Sequence, residues 1–371
     1  MKNKRKILSL IGTRPEVIKM APVIHELARQ SDRIESLVVS TAQHRQMLDQ
    51  TLQVFGIRPD IDLDLMRPNQ SLGQLTAAAL AGVERVLRET QPDLLLVQGD
   101  TTSVFAAALA AFYARVPVGH VEAGLRSFDR WNPYPEEINR RLADVLADYY
   151  FAPTVRAREN LLKEGVGEEK IFVTGNTVVD ALQYALRAPF EPHGRELQQV
   201  IAAPGRLLLV TAHRRENWDE PLANICDAFL DLVREFADLR IVYPVHLNPN
   251  VRRTVMAKLK DAERIHLIEP VDYLTLVHLM QRSHLILTDS GGIQEEAPTL
   301  GKPVLVMRTV TERPEAAEAG VALIVGTDRT RIVAETRRLL TDDAAYRRMS
   351  TAVNPYGDGH AAKRIVEILL R

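Results

Sequence analysis

Leu285-Ile286-Leu287-Thr288-Asp289-Ser290-Gly291-Gly292-Ile293-Gln294-Glu295-Glu296-Ala297 passes from an unbroken apolar run, through an acid, a serine and two glycines, into a helical pattern. A continuous run of this kind suits a strand buried on both faces, as in a parallel sheet. The same pattern recurs on both sides. Further candidate strands lie at residues 207–211, 240–243, 265–268, 304–306 and 322–325. An earlier series occupies residues 7–11, 36–39, 94–98, 116–121, 149–151 and 171–174. Amphipathic stretches, such as residues 17–29, 72–88 and 222–236, fall between them. Strand, helix, strand, run through twice, predicts an α/β protein with two Rossmann-like, doubly wound parallel-sheet domains. The expected division is residues 1–175 and 176–357. A length of 371 residues agrees, since single domains cluster near about 100–150. Residues 189–205, with prolines and glycines at 189, 192, 194, 204 and 205, read as the most irregular stretch. A tandem of this kind is expected to bind ligand in a cleft, where the carboxyl ends of both sheets face each other.

Composition removes several alternatives. Lysine and arginine total 47 against 48 acids, so bulk charge favours neither nucleic acid nor an anionic membrane. A single cysteine, Cys226, leaves no intrachain disulfide and no cysteine-rich metal site. The apolar run at residues 7–11 is shorter than the ~7–15 residues of a signal-peptide core. The uncharged stretch 101–114 is likewise short of the ~18 residues of a membrane span. A soluble cytoplasmic protein is expected. No Gly-x-Gly-x-x-Gly follows the first strand, and Gly301-Lys302 is followed by Pro303, so neither a dinucleotide fingerprint nor a P-loop is present.

Candidate site residues gather at predicted strand ends. In Gly12-Thr13-Arg14-Pro15-Glu16, glycine permits a tight turn and proline suits the first helical turn. Arg14, with Lys19 one turn on, adds positive charge where a helix N-terminus already favours anions. An ordinary helix start with solvated cations fits this loop equally well. In the opening segment, Ser290, Gly291 and Gly292 could let a diphosphate approach the backbone, with Glu296 one turn later positioned for ribose hydroxyls. Ser290 could instead be a simple N-cap. Asp100 and Glu122 each follow a strand, an acid/base pattern, although Asp100 could cap the next helix and Glu122 could pair with Arg126. Glu136 and Glu137 open the helix at residues 135–146, and periodicity does not choose between them. His213 follows a strand beside Arg214 and Arg215, well placed for a leaving phosphate; His246 ends another. No histidine or carboxylate spacing supports a metal site.

Together these motifs resemble one family along the whole chain. Residues 12–19, 41–49, 99–102, 120–126, 135–140, 175–182, 213–217, 244–250, 289–313 and 354–359 are similar to the non-hydrolysing UDP-N-acetylglucosamine 2-epimerases. The resemblance implies two Rossmann-like domains in a glycosyltransferase-B-like arrangement, usually a homodimer, with no nicotinamide or other cofactor. It implies reversible conversion of UDP-N-acetylglucosamine and UDP-N-acetylmannosamine, by elimination of UDP to 2-acetamidoglucal and re-addition. That chemistry needs proton-transfer groups on both faces of the sugar. By the match, Asp100, Glu122 and Glu136 supply them, and Glu136 is chosen over Glu137. His213, Arg14 and Arg313 would stabilise the departing diphosphate, Ser290, Gly291 and Gly292 would hold it, and Lys19 and Glu296 would serve the nucleoside end. Domain closure would keep water from the glucal.

Gln43, Gln46, Arg214 and His246 match a second, activating UDP-N-acetylglucosamine site of bacterial members. Where some relatives carry Gln and Phe near the uracil, this chain has Val271 and Leu276. The last helix, in residues 358–371, is implied to cross back onto the first domain. Rival readings are a C2 epimerase of a UDP-diacetamido sugar, a UDP-sugar glycosyltransferase, a hydrolysing epimerase and a nucleotide-sugar sensor.

Overall fold

The computed structural model describes residues 4–42, 45–67, 69–192, 194–309, 311 and 313–371, except the side chains of Arg45, Gln46, Met47 and Glu196. It divides into two compact units, residues 1–185 with 356–371, and residues 186–355.

The first unit holds a parallel sheet of β1 (Arg5–Ile11), β2 (Ile34–Ser40), β3 (Ile61–Asp62), β4 (Leu94–Gln98), β5 (Val118–Val121), β6 (Tyr149–Ala152) and β7 (Ile171–Val173). Its order is β3-β2-β1-β4-β5-β6-β7, which reverses direction between β1 and β4. Leu8 pairs with Leu37 on one side and Leu95 on the other. With helices on both faces, Leu8, Leu10, Leu95 and Val97 are fully buried, each worth about 1.5–3 kcal/mol over exposure. This unit continues past position 175 to residue 185, within helix Thr177–Arg187.

The second unit holds β8 (Arg206–Thr211), β9 (Leu239–Pro244), β10 (Ile265–Ile268), β11 (Leu285–Thr288), β12 (Val304–Val306) and β13 (Ala322–Ile324). Its parallel order is β10-β9-β8-β11-β12-β13, with the switch between β8 and β11. Leu208, Leu285, Leu287, Ile241 and Phe229 anchor its core. The expected two-domain α/β class is therefore observed.

Two local expectations are corrected. Residues 189–205 are not irregular throughout, because Arg195–Ala202 is a helix, with the breakers Gly194 and Pro204 outside its ends. The edge strand β3 has no counterpart in the sequence reading; two residues beside acidic neighbours make no detectable run.

The chain closes on helix Ala361–Leu369. Its first N–H groups, on Ala361 and Ala362, donate to the Asp180 carboxylate at 3.2 and 2.9 Å, which supplies the anion that a helix start favours. Arg33 donates to the Leu370 carbonyl at 3.0 Å, tying the helix's far end to the same unit. Among the described residues no helix is long and apolar enough to cross a membrane.

Candidate active site

In the first unit, the loops after β1, β4 and β5 share one hydrogen-bonded cluster. Its centre is Glu122, which lies just past β5 with a left-handed backbone (φ 67°), a conformation that costs energy in a non-glycine residue. The buried carboxylate accepts from Lys19 Nζ and Gln98 Nε2, and from Asn176 Nδ2 at 3.0 Å. Arg126, the sequence-level alternative partner, turns elsewhere: it donates to Asp144 at 2.7 Å and to Glu164 at 2.6 Å. Lys19, matched to the nucleoside end, has its ammonium on Glu122.

Asp100 does not cap the following helix. Thr101 does, accepting from the Val104 N–H at 3.3 Å, which leaves the Asp100 carboxylate for Arg140. Asn139 also donates to the Asp100 carbonyl at 3.1 Å. Both come from helix Glu136–Leu146, so the Asp100 loop and the Glu136 helix are tied together.

The structure also separates Glu136 from Glu137. Glu137 is fully buried and accepts from the N–H groups of Ser127 and Phe128 at 3.0 and 3.2 Å and from Arg140 at 3.1 Å. It is committed to holding that loop. Glu136, at the first helical position, is only half-buried.

Beneath Glu122 is a network that sequence reasoning missed. His120 is fully buried, with Nδ1 2.7 Å from Asp144 and Nε2 2.8 Å from the Gly99 carbonyl. Burial alone would lower its pKa, but Asp144 more than offsets this and raises it. The network braces the backbone on either side of Asp100 and Glu122.

The N–H groups that open the first loop are engaged by Glu16. Glu16 Oε2 accepts from the N–H groups of Gly12 and Thr13 at 2.6 and 3.1 Å, and Thr101 donates to Oε1 at 2.7 Å. Burial raises the Glu16 pKa from 4.5 to about 7 against the pull of those donors. Gly12 is required for a further reason: a Cβ there would meet Thr41 Oγ1 at 2.1 Å. Arg14 is half-buried at the start of helix Arg14–Arg29.

In the second unit, the loops after β8 and β11 meet at Asp289, whose side chain is fully buried. Its Oδ2 accepts from the N–H groups of His213 and Arg214, both at 2.8 Å, and from Asn217 at 3.1 Å. Oδ1 lies 3.3 Å from His213 Nδ1. Burial pulls the His213 pKa down and outweighs Asp289, with His246 and Arg214 adding to the fall. His246 stacks on His213, ring centres 5.3 Å apart.

Ser290 makes no capping bond with its side chain, against the simple capping alternative. The two glycines differ. A Cβ on Gly291 would come within 2.9 Å of the Arg313 guanidinium, whereas one on Gly292 would meet nothing within 4 Å. Gly291 thus makes room for Arg313, itself held by Glu295 at 2.7 Å, and only Gly292 faces open space. Glu296 is buried and accepts from Tyr273 Oη at 2.9 Å. Gln43 and the Gln46 side chain lie outside the described residues. Among the described residues, no group of three or more His, Cys, Asp or Glu could hold a metal.

A family model described as UDP-N-acetylglucosamine 2-epimerase matches residues 25–370. The chain belongs to that family. The UDP-N-acetylglucosamine 2-epimerase of Yersinia pestis is 54% identical over 369 residues, covering 98% of each chain. That of Bacillus subtilis is 50% identical over 367 residues, covering 99% of this chain and 95% of the relative. The crystal structure of the Neisseria meningitidis UDP-GlcNAc 2-epimerase bound to UDP-GlcNAc is 48% identical, with a TM-score of 0.90 over 98% of this chain and 99% of its own. Two parallel sheets with interleaved helices are thus the fold of an epimerase family, and the acids and glycine turn described above sit within matched sequence.

Proposed function

We propose that this chain reversibly epimerises UDP-N-acetylglucosamine to UDP-N-acetylmannosamine at C2, by eliminating UDP to 2-acetamidoglucal and adding it back. The observation carrying the reading is the Glu122 cluster: a buried carboxylate held by an ammonium, two amides and a strained backbone, tied through its loops to Asp100 and Glu136. The C2 hydrogen is not adjacent to a carbonyl. It can leave only as the C1–O bond to UDP breaks, and its return to the other face needs a second proton-transfer group. Asp100, Glu122 and Glu136 share these roles, with Lys19 held against Glu122. Arg14, Arg313 and His213 stabilise charge on the departing diphosphate. Gly292, Ser290 and Gly291 hold it, and Glu296 serves the ribose.

The same reading has the chain work in the cytoplasm as a homodimer, with UDP-N-acetylglucosamine also an activator. His246 supports the last point, because a ligand against its ring would press on His213. Incubation with UDP-N-acetylglucosamine and no acceptor tests the activity. Appearance of UDP-N-acetylmannosamine is expected. A free sugar, a transferred sugar or unchanged substrate would contradict it.

A further inference from the structure

The second sheet carries another polar cavity at its opposite end. It has a volume of about 390 Å³ and opens at the amino ends of β8 and β11, lined among others by Arg206, Arg240, Arg282, His284, Lys302 and Tyr346. His213 and Ser290 follow the carboxyl ends of those strands, about 20 Å away along a six-residue strand. Its charge balance is one-sided. Arg206 is neutralised by Asp238, through contacts of 2.7 and 2.8 Å. Arg240 has only backbone carbonyls, of Pro204, Val200 and Ala203, at 3.0, 2.7 and 2.5 Å. Arg282 has only the Ile201 carbonyl, at 3.3 Å. Lys302 is half-buried, and no carboxylate pairs with it among the described residues. Arg240, Arg282 and Lys302 therefore line one concavity with no carboxylate bonded to them among the described residues, an arrangement that favours an entering anion.

We infer that this cavity is a binding site for a small phosphate-bearing anion, separate from the candidate active site. The carbonyls fix Arg240, leaving its remaining N–H groups for a ligand, while Arg282 and Lys302 close around the charge as flexible arms. The His284 ring, stacked on Tyr346 with centres 4.4 Å apart, forms a rigid wall. Burial lowers the pKa of Lys302, and burial with Arg282 lowers that of Arg240, as expected of cations that lack an anion. The volume admits a phosphate with a small attached group.

The test is acylation of Lys302 in the full-length protein, read by mass spectrometry, with UDP present throughout to occupy the glycine turn. Inorganic phosphate, pyrophosphate and a hexose phosphate form separate arms, against chloride at equal ionic strength. Labelling of Lys302 should fall about tenfold in at least one phosphate arm, and the arms distinguish a free phosphate from a phosphorylated metabolite. Arg282→Gln, at an exposed position, should weaken that protection about fivefold or more. Equal labelling in every arm, or equal protection by chloride, would overturn the site. The readout is local to Lys302 and independent of epimerase activity.

Discussion

His213 Nδ1 lies 3.3 Å from Oδ1 of Asp289, a fully buried carboxylate whose other oxygen is occupied by the N–H groups of His213 and Arg214. The carboxylate thereby fixes the loop and sets a negative charge beside the ring. Burial lowers the pKa of the imidazole and outweighs the opposing pull of Asp289.

Asp289→Asn should therefore act through His213. The substitution keeps the shape but removes the negative charge beside the ring, which had favoured the imidazolium that a departing diphosphate would draw on. Steady-state kinetics should show kcat lowered by at least about tenfold with a smaller change in KM. An unchanged kcat would remove Asp289 from the mechanism.

Glu122→Gln keeps the shape but takes the charge from beside Lys19. A fall in kcat of about 10²–10⁴-fold is expected, with a native circular dichroism spectrum. Glu137→Gln supplies the contrast: it weakens the loop holding Ser127 and Phe128, so lower thermal stability should accompany any loss of rate.

The glycine pair separates packing from binding. Gly291→Ala forces the Arg313 guanidinium aside and should cost about 1 kcal/mol in stability, through its bond to Glu295. Gly292→Ala meets nothing in the folded chain and should leave stability unchanged or raise it by up to about 1 kcal/mol. Its effect should appear in UDP affinity, weakened about tenfold or more in calorimetric titration. Undiminished UDP binding by Gly292→Ala would place the diphosphate elsewhere.

Glu16 makes stability pH-dependent with a defined sign. Its folded pKa, raised to about 7 from 4.5, means folding disfavours the ionised form. Stability from this group is full below pH 4.5 and is lost as pH rises through 7, by roughly 3 kcal/mol. Glu16→Gln removes the titration. Denaturant unfolding at pH 5 and pH 8 should show wild type losing stability relative to the variant; a constant difference would contradict the buried-acid account.

The central strands were legible because parallel strands buried on both faces are apolar in long runs, as at residues 94–97, 285–287 and 304–306. β3 escaped because a two-residue edge strand carries no such constraint. Helix Arg195–Ala202 escaped because breakers at its ends masked the turns between them. Asp100, Glu122, His213 and Ser290 stood out by their position after strands. Their supports did not: His120, Asp144, Arg140 and Asn176 acquire meaning only when folding brings distant segments together. Asp289 was visible in the opening segment, but its bonds to the loop after β8 were not. Gly291 and Gly292 look alike in sequence and differ because Arg313 covers one of them.

The central claim is elimination and return of a proton at C2. Proton NMR of UDP-N-acetylglucosamine incubated with the protein in deuterated water reads it directly. Loss of the C2 proton signal from both epimers, with deuterium incorporated there and no acceptor present, is the predicted result. Interconversion that retains the original C2 hydrogen, or no exchange at all, would contradict it.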